Sequence, residues 1–223
     1  MATALPEPLA RFAENGRITP RTVRRFLIDM SLRRQKPGTG SSHEFMLRRT
    51  ADIEWPDLRV VLAEFDWAIV GGVATRAFMP ERMTKDLDVL VREADQQAVL
   101  DALTDADYEV VKPLSIGGAM IRSPDGVEID VLFGRQVWLD EAFSTLTHDP
   151  AGYPVLDLPY LVLMKLESSR AVDYGDVTKM LGWNDDDVVD RVRDAVRRYS
   201  PDDSSDLESM IYLGRLEREL PDE

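Results

Sequence analysis

Four apolar residues, Trp67-Ala68-Ile69-Val70, run straight into the pair Gly71-Gly72, and thirteen residues later the chain alternates again through Asp86-Leu87-Asp88-Val89. A β-branched apolar run stopped by two glycines predicts a short buried strand that turns sharply at its end. Val73 to Phe78 then reads as the start of a helix, and Asp86 to Val91 as the next strand. Side chains two apart in a strand share a face, so Asp86 and Asp88 project together while Leu87 and Val89 enter the core. Ile129-Asp130-Val131 repeats the alternation on a later strand. A chain with this order is confined to a mixed α/β sheet whose edge gathers carboxylates beside a glycine turn.

The rest of the chain fills in around that frame. Thr19-Pro20 reads as helix cap and first helical residue, with Val23, Phe26, Leu27 and Met30 on one face among Arg21, Arg24 and Arg25, the helix ending near Gln35. Residues 36–42, Lys-Pro-Gly-Thr-Gly-Ser-Ser, break it and read as a linker. Leu58, Val61, Leu62 and Phe65 suggest a helix leading into Trp67. A helix over 94–106, strands around 108–111 and 119–122, a hairpin turn at Asp125-Gly126 and a strand over 127–133 complete the middle region. From Leu158 the pattern is helical: 158–170, 174–181, 186–199 capped by Asn184 or Asp185, and 207–220 beyond Ser200-Pro201. The expected organisation is a basic N-terminal helical arm and linker (1–42), an α/β domain (43–157) and a C-terminal helical region (158–223).

Composition narrows the class. The 223 residues contain no cysteine, which excludes disulfides, thiolate ligands and a cysteine nucleophile, and only two histidines, His43 and His148, which argues against a histidine-built zinc site. No run of about eighteen apolar residues and no secretory leader is evident, so a cytoplasmic protein without membrane partners is expected. The net charge of −14 is uneven. Residues 1–49 hold ten Lys/Arg and four Asp/Glu, a net +6, leaving −20 on the remainder. A basic arm before an acidic body can meet RNA, an acidic partner or the protein's own surface.

The residue types at the strand edge suit one kind of chemistry. Glycines without β-carbons let phosphate approach the backbone. Paired carboxylates bind Mg2+, which takes one or two protein carboxylates and completes its shell with water and substrate phosphate. Asp130 can complete a second metal position or orient an attacking hydroxyl. Arg76, Arg82, Thr84 and Lys165 are further candidate phosphate donors. A dinucleotide site would need Gly-x-Gly-x-x-Gly and a P-loop Gly-Lys-Ser/Thr, and neither follows Gly71. Asp185-Asp186-Asp187 lacks EF-hand spacing and reads as a solvated helix start.

Gly71-Gly72 with Asp86-Leu87-Asp88 and Asp130 resembles the signature of the nucleotidyltransferase superfamily, whose fold is shared with DNA polymerase beta. More narrowly, Arg82-Met83-Thr84-Lys85-Asp86-Leu87-Asp88 resembles the Arg-x-Thr-x-Asp-hydrophobic-Asp form of AbiEii-type toxins of bacterial toxin-antitoxin systems. Lys165 to Arg170 followed by Asp173 and Asp176 is similar to the later Lys, Arg, Asp helical motif of that group, and the likeness covers about residues 66–182. It implies a nucleotidyltransferase fold, a small mixed sheet with flanking helices. It also implies metal on Asp86 and Asp88, Asp130 as third carboxylate, Lys165 on phosphate, and Asp173 in the active-site cleft. The implied reaction transfers NMP from an NTP to a hydroxyl, with a tRNA 3′ end or a protein as acceptor and an antitoxin as partner. Two alternatives stand beside it: transfer to a small molecule such as an aminoglycoside, drawn to the acidic body, and a non-catalytic nucleotide- or partner-binding module.

Overall fold

The computed structural model describes residues 5–13, 16–19, 22–23, 25–27, 29–30, 56–80, 86–149 and 151–219. The chain divides into two compact units, Ser42–Asp157 and a discontinuous unit of Met1–Ser41 with Leu158–Glu223. The expected linker at 36–42 lies outside the described residues, as do Arg21, Arg24 and Gln35 of the basic helix.

The central unit is mixed α/β, built on a seven-stranded sheet in the order β3-β4-β5-β2-β1-β7-β6. Its strands are β1 (Trp67–Val70), β2 (Leu87–Arg92), β3 (Glu109–Pro113), β4 (Gly118–Arg122), β5 (Glu128–Gly134), β6 (Thr147–His148) and β7 (Pro154–Val155). β2 pairs parallel with β5 and β1 parallel with β7, while the other neighbours are antiparallel. The alternation in sequence becomes two faces. Leu87, Val89 and Val91 of β2 and Ile129 and Val131 of β5 are buried together with Ile121 of β4. Burying each such side chain contributes about 1.5–3 kcal/mol. The Asp125-Gly126 turn forms as expected: Gly126 N–H donates to the Ser123 carbonyl at 2.8 Å, Ser123 N–H donates to the Val127 carbonyl at 2.8 Å, and Val127 N–H donates to the Ser123 Oγ at 3.0 Å.

One expected helix is absent. Residues 58–65 form a succession of turns, in which Leu58 and Leu62 are buried. Asp57 takes both the backbone N–H of Arg59 (3.0 Å) and its guanidinium (2.9 and 2.7 Å). The Leu62 N–H donates to the Leu58 carbonyl at 2.9 Å and the Phe65 N–H to the Leu62 carbonyl at 3.1 Å, so successive turns rather than a continuous helical ladder carry this segment.

In the second unit, Thr19 caps its helix by accepting the Thr22 N–H at 3.2 Å, and Phe26 and Met30 are buried, with Phe12 set edge-on to Phe26 at 6.0 Å. Four C-terminal helices follow: Leu158–Ser168, Ala171–Trp183, Asp186–Tyr199 and Ser204–Glu219. Asp185 caps the third through Val188 N–H at 3.1 Å. Arg193 grips Glu208 with two bonds of 2.7 and 2.9 Å, joining the third helix to the fourth.

Helices Ala171–Trp183 and Ser204–Glu219 touch backbone to backbone. A Cβ on Gly182 would lie 2.2 Å from the Gly214 carbonyl oxygen, and one on Gly214 would lie 2.0 Å from that of Thr178. Gly175, on the same helix as Gly182, has open space around it. Gly214→Ala should therefore cost about 1–3 kcal/mol by forcing the helices apart, whereas Gly175→Ala should gain up to about 1 kcal/mol from helix propensity. Thermal unfolding of the two variants should shift in opposite directions.

Candidate active site

The end of β1 lies in register with two of the three sequence-predicted carboxylates. Val70 is the Cα partner of Asp88, Asp88 of Asp130, and Asp130 of Met120, so one row crosses β1, β2, β5 and β4. Residues paired in a ladder point to the same face, which sets the Asp88 and Asp130 side chains next to each other. Both are half-buried, while Leu87, Val89, Ile129 and Val131 beside them are buried on the other face. Asp86 is half-buried and stands one residue before β2 begins.

Directly after Val70 the backbone turns at Gly71, whose φ is +64°. A single α-turn, Gly71–Ala74, passes into a 3-10 turn, Thr75–Ala77. The expected helix thus begins two residues early and stops after two turns, with the Thr75 hydroxyl donating to the Gly72 carbonyl at 2.8 Å. So short a helix aligns few peptide dipoles, so its N-terminal charge is small. The backbone's closeness to the carboxylates, rather than a helix dipole, is what this turn contributes.

Among the described residues no three carboxylate or histidine side chains are gathered tightly enough to hold a metal ion alone. The adjacent pair Asp88 and Asp130, with Asp86 two residues from Asp88, fits Mg2+, which binds through one or two carboxylates and leaves its other positions to water and phosphate.

Arg76 is committed elsewhere. Its guanidinium pairs with the Asp149 carboxylate, which is fully buried and also accepts the N–H groups of Ala151 and Tyr153, each at 2.9 Å. The Arg76 Nε is buried without a hydrogen-bond partner, beside a cavity of about 30 Å³ between Trp67, Ile69, Val73, Leu87 and Tyr153. Arg59 stacks over Tyr153 at 4.3 Å. Sequence reasoning did not single out Asp149; the available signal was its turn chemistry, an Asp-Pro followed by Gly152. Arg82 and Thr84 lie outside the described residues.

Lys165, Asp173 and Asp176 meet within the helical unit. Lys165 Nζ donates to Asp173 Oδ1 and to Asp176 Oδ2, both at 2.8 Å, and the three side chains are no more than 5 % exposed. Asp173 also accepts from Ser168 Oγ (2.6 Å) and Arg170 Nε (2.5 Å). Two cations and two carboxylates balance. Burial pushes the Asp173 carboxyl up, but Lys165 and Arg170 outweigh it and hold the group below the ordinary aspartate value of 3.8. A depressed folded pKa contributes stability that is present above the unfolded value and lost as pH falls through the folded one. Unfolding free energy should therefore drop as the pH goes below about 4, and Asp173→Asn should flatten that dependence in acid-denaturation curves while lowering stability at neutral pH.

No protein-family model matches the chain, and no curated protein matches it. Several solved chains show a partial likeness, the following two among them. The lincosamide antibiotic adenylyltransferase LnuA, lincomycin-bound, aligns at 13% identity with a TM-score of 0.37, covering 45% of this chain and 75% of its own. The antibiotic-resistance factor ANT(2'')-Ia aligns at 15% identity with a TM-score of 0.40, covering 72% of this chain and 89% of its own. Among the described residues no helix is long and apolar enough to cross a membrane.

Proposed function

We propose that this chain is a nucleotidyltransferase that moves NMP from an NTP to an acceptor hydroxyl. The observation that supports this reading most is the register of Asp88 against Asp130 at the point where β1 ends in the Gly71 turn. In the reaction the acceptor oxygen bonds to the α-phosphorus, the bond from that phosphorus to the bridging oxygen breaks, and pyrophosphate leaves. Asp86 and Asp88 would hold Mg2+, with Asp130 as the third carboxylate. Bound there, Mg2+ supplies charge stabilisation to the phosphate oxygens and the departing pyrophosphate. Asp130, on the strand beside Asp88, would orient the acceptor hydroxyl and receive its proton. Gly72, Arg82 and Thr84 are the groups we assign to the phosphates, since Arg76 already neutralises Asp149.

The likeness of residues 82–88 to AbiEii-type toxins favours a tRNA 3′ end or a protein as acceptor, with an antitoxin as partner. The charge of −20 outside the first 49 residues favours instead a cationic small molecule such as an aminoglycoside. Incubation with each α-labelled NTP and Mg2+, with total tRNA, with protein alone, or with an aminoglycoside panel, separates these acceptors by where the label goes. Nucleotide binding without transfer to any of them would point to a binding module.

A further inference from the structure

We propose that Gly71 is a positioning residue that seats the Asp88 carboxylate, so that the space beside this glycine belongs to a metal ligand rather than to phosphate. The inference rests on the nucleotidyltransferase reading and deepens it. An ideal Cβ on Gly71 would lie 1.9 Å from Asp88 Oδ2, 2.7 Å from its Cγ and 3.0 Å from its Cβ. All three nearest atoms belong to one side chain, so the overlap is not with a loose end alone. Relief requires Asp88 to rotate about its own Cα–Cβ bond, or β1 and β2 to separate where Val70 pairs with Asp88. Rotation moves the carboxylate off the row it shares with Asp130. The φ of +64° adds a second reason for glycine, since L side chains seldom adopt it. The two demands differ in their consequence: backbone strain is the same whatever occupies position 88, whereas the overlap vanishes when the Asp88 side chain is removed.

That difference makes the inference testable on the full chain. Mn2+ alone is titrated by electron paramagnetic resonance into wild type, Asp88→Asn and Gly71→Ala, and non-hydrolysable NTP binding is measured in parallel. The site weakened by Asp88→Asn should weaken at least tenfold in Gly71→Ala. Thermal unfolding of Gly71→Ala, Asp88→Gly and the double variant forms the second arm. Gly71→Ala should lower the melting temperature much less in the Asp88→Gly background than in wild type, because strain cancels from the comparison and overlap does not. Unchanged Mn2+ affinity in Gly71→Ala with weakened NTP binding would overturn the inference and return this glycine to the phosphate. Equal melting shifts in both backgrounds would overturn it as well. Wild type without a Mn2+ site sensitive to Asp88 would instead defeat the functional reading, while the melting comparison still decides whether Gly71 seats Asp88.

Discussion

Lys165→Ala is expected to destabilise the protein by about 3–5 kcal/mol, a large part of a typical folding free energy. The reason is the company Lys165 keeps. Its ammonium bonds two carboxylates, Asp173 and Asp176, that are at most 5 % exposed, and removing it withdraws the cation they share, while Arg170, itself 40 % exposed, still pairs with Asp173. An uncompensated buried charge costs more than the pair contributed, so replacing Lys165 and both aspartates with uncharged residues of similar size should be milder than removing the lysine alone. Denaturant unfolding of Lys165→Ala beside a Lys165→Met/Asp173→Asn/Asp176→Asn variant measures both. The same experiment separates two roles. A lysine that contacts phosphate, as the toxin likeness implies, would lose NTP affinity with little change in stability, whereas an internal counterion loses stability first.

Asp88→Asn should lower nucleotidyl transfer by about 10³-fold, on the order of 4 kcal/mol in the barrier. The amide keeps the size and shape that fit against Gly71 but gives up the anionic oxygen that binds a divalent cation. Because Asp88 is half-buried and its volume is conserved, stability should change by less than about 0.5 kcal/mol. Asp130→Asn should behave alike, and the double variant should lose little more than either single one, as groups acting as a unit are not additive. Initial rates of pyrophosphate release, normalised to folded protein, test this. Loss of activity with matching loss of fold would remove the metal-ligand account of Asp88.

The parts of this structure that sequence reveals are those governed by local chemistry. Asp125-Gly126 could hardly be anything but a hairpin turn, and the cap residues Thr19 and Asp185 do what their hydroxyl and carboxylate favour. The alternation around Asp88 and Asp130 announced their common face, although their direct pairing is a property of the parallel register that no single strand encodes. The short strands β6 and β7, two residues each, carry no periodicity, and the buried Asp149 that orders their connection depends on Arg76, seventy-three residues away. The turns at 58–65 show the opposite failure. Leu58 and Leu62 have helical spacing, are buried and are joined by one backbone bond of 2.9 Å, yet the bonds after it tighten to a three-residue turn at Phe65 and the ladder does not continue. Lys165, Asp173 and Asp176 stand out in the sequence only through their likeness to the toxins' later helical motif; that they are buried and bonded to one another follows from how helices Leu158–Ser168 and Ala171–Trp183 pack.

A nucleotidyltransferase of this kind must receive a nucleoside triphosphate together with Mg2+ at the edge formed by Gly71, Asp88 and Asp130. Calorimetric titration with a non-hydrolysable NTP, with and without Mg2+, on wild type, Asp88→Asn and Asp130→Asn tests it most directly. Binding to wild type should strengthen with Mg2+, and both variants should lose that dependence. Binding indifferent to Mg2+ and to both substitutions, or no binding at all, would contradict the nucleotidyltransferase reading.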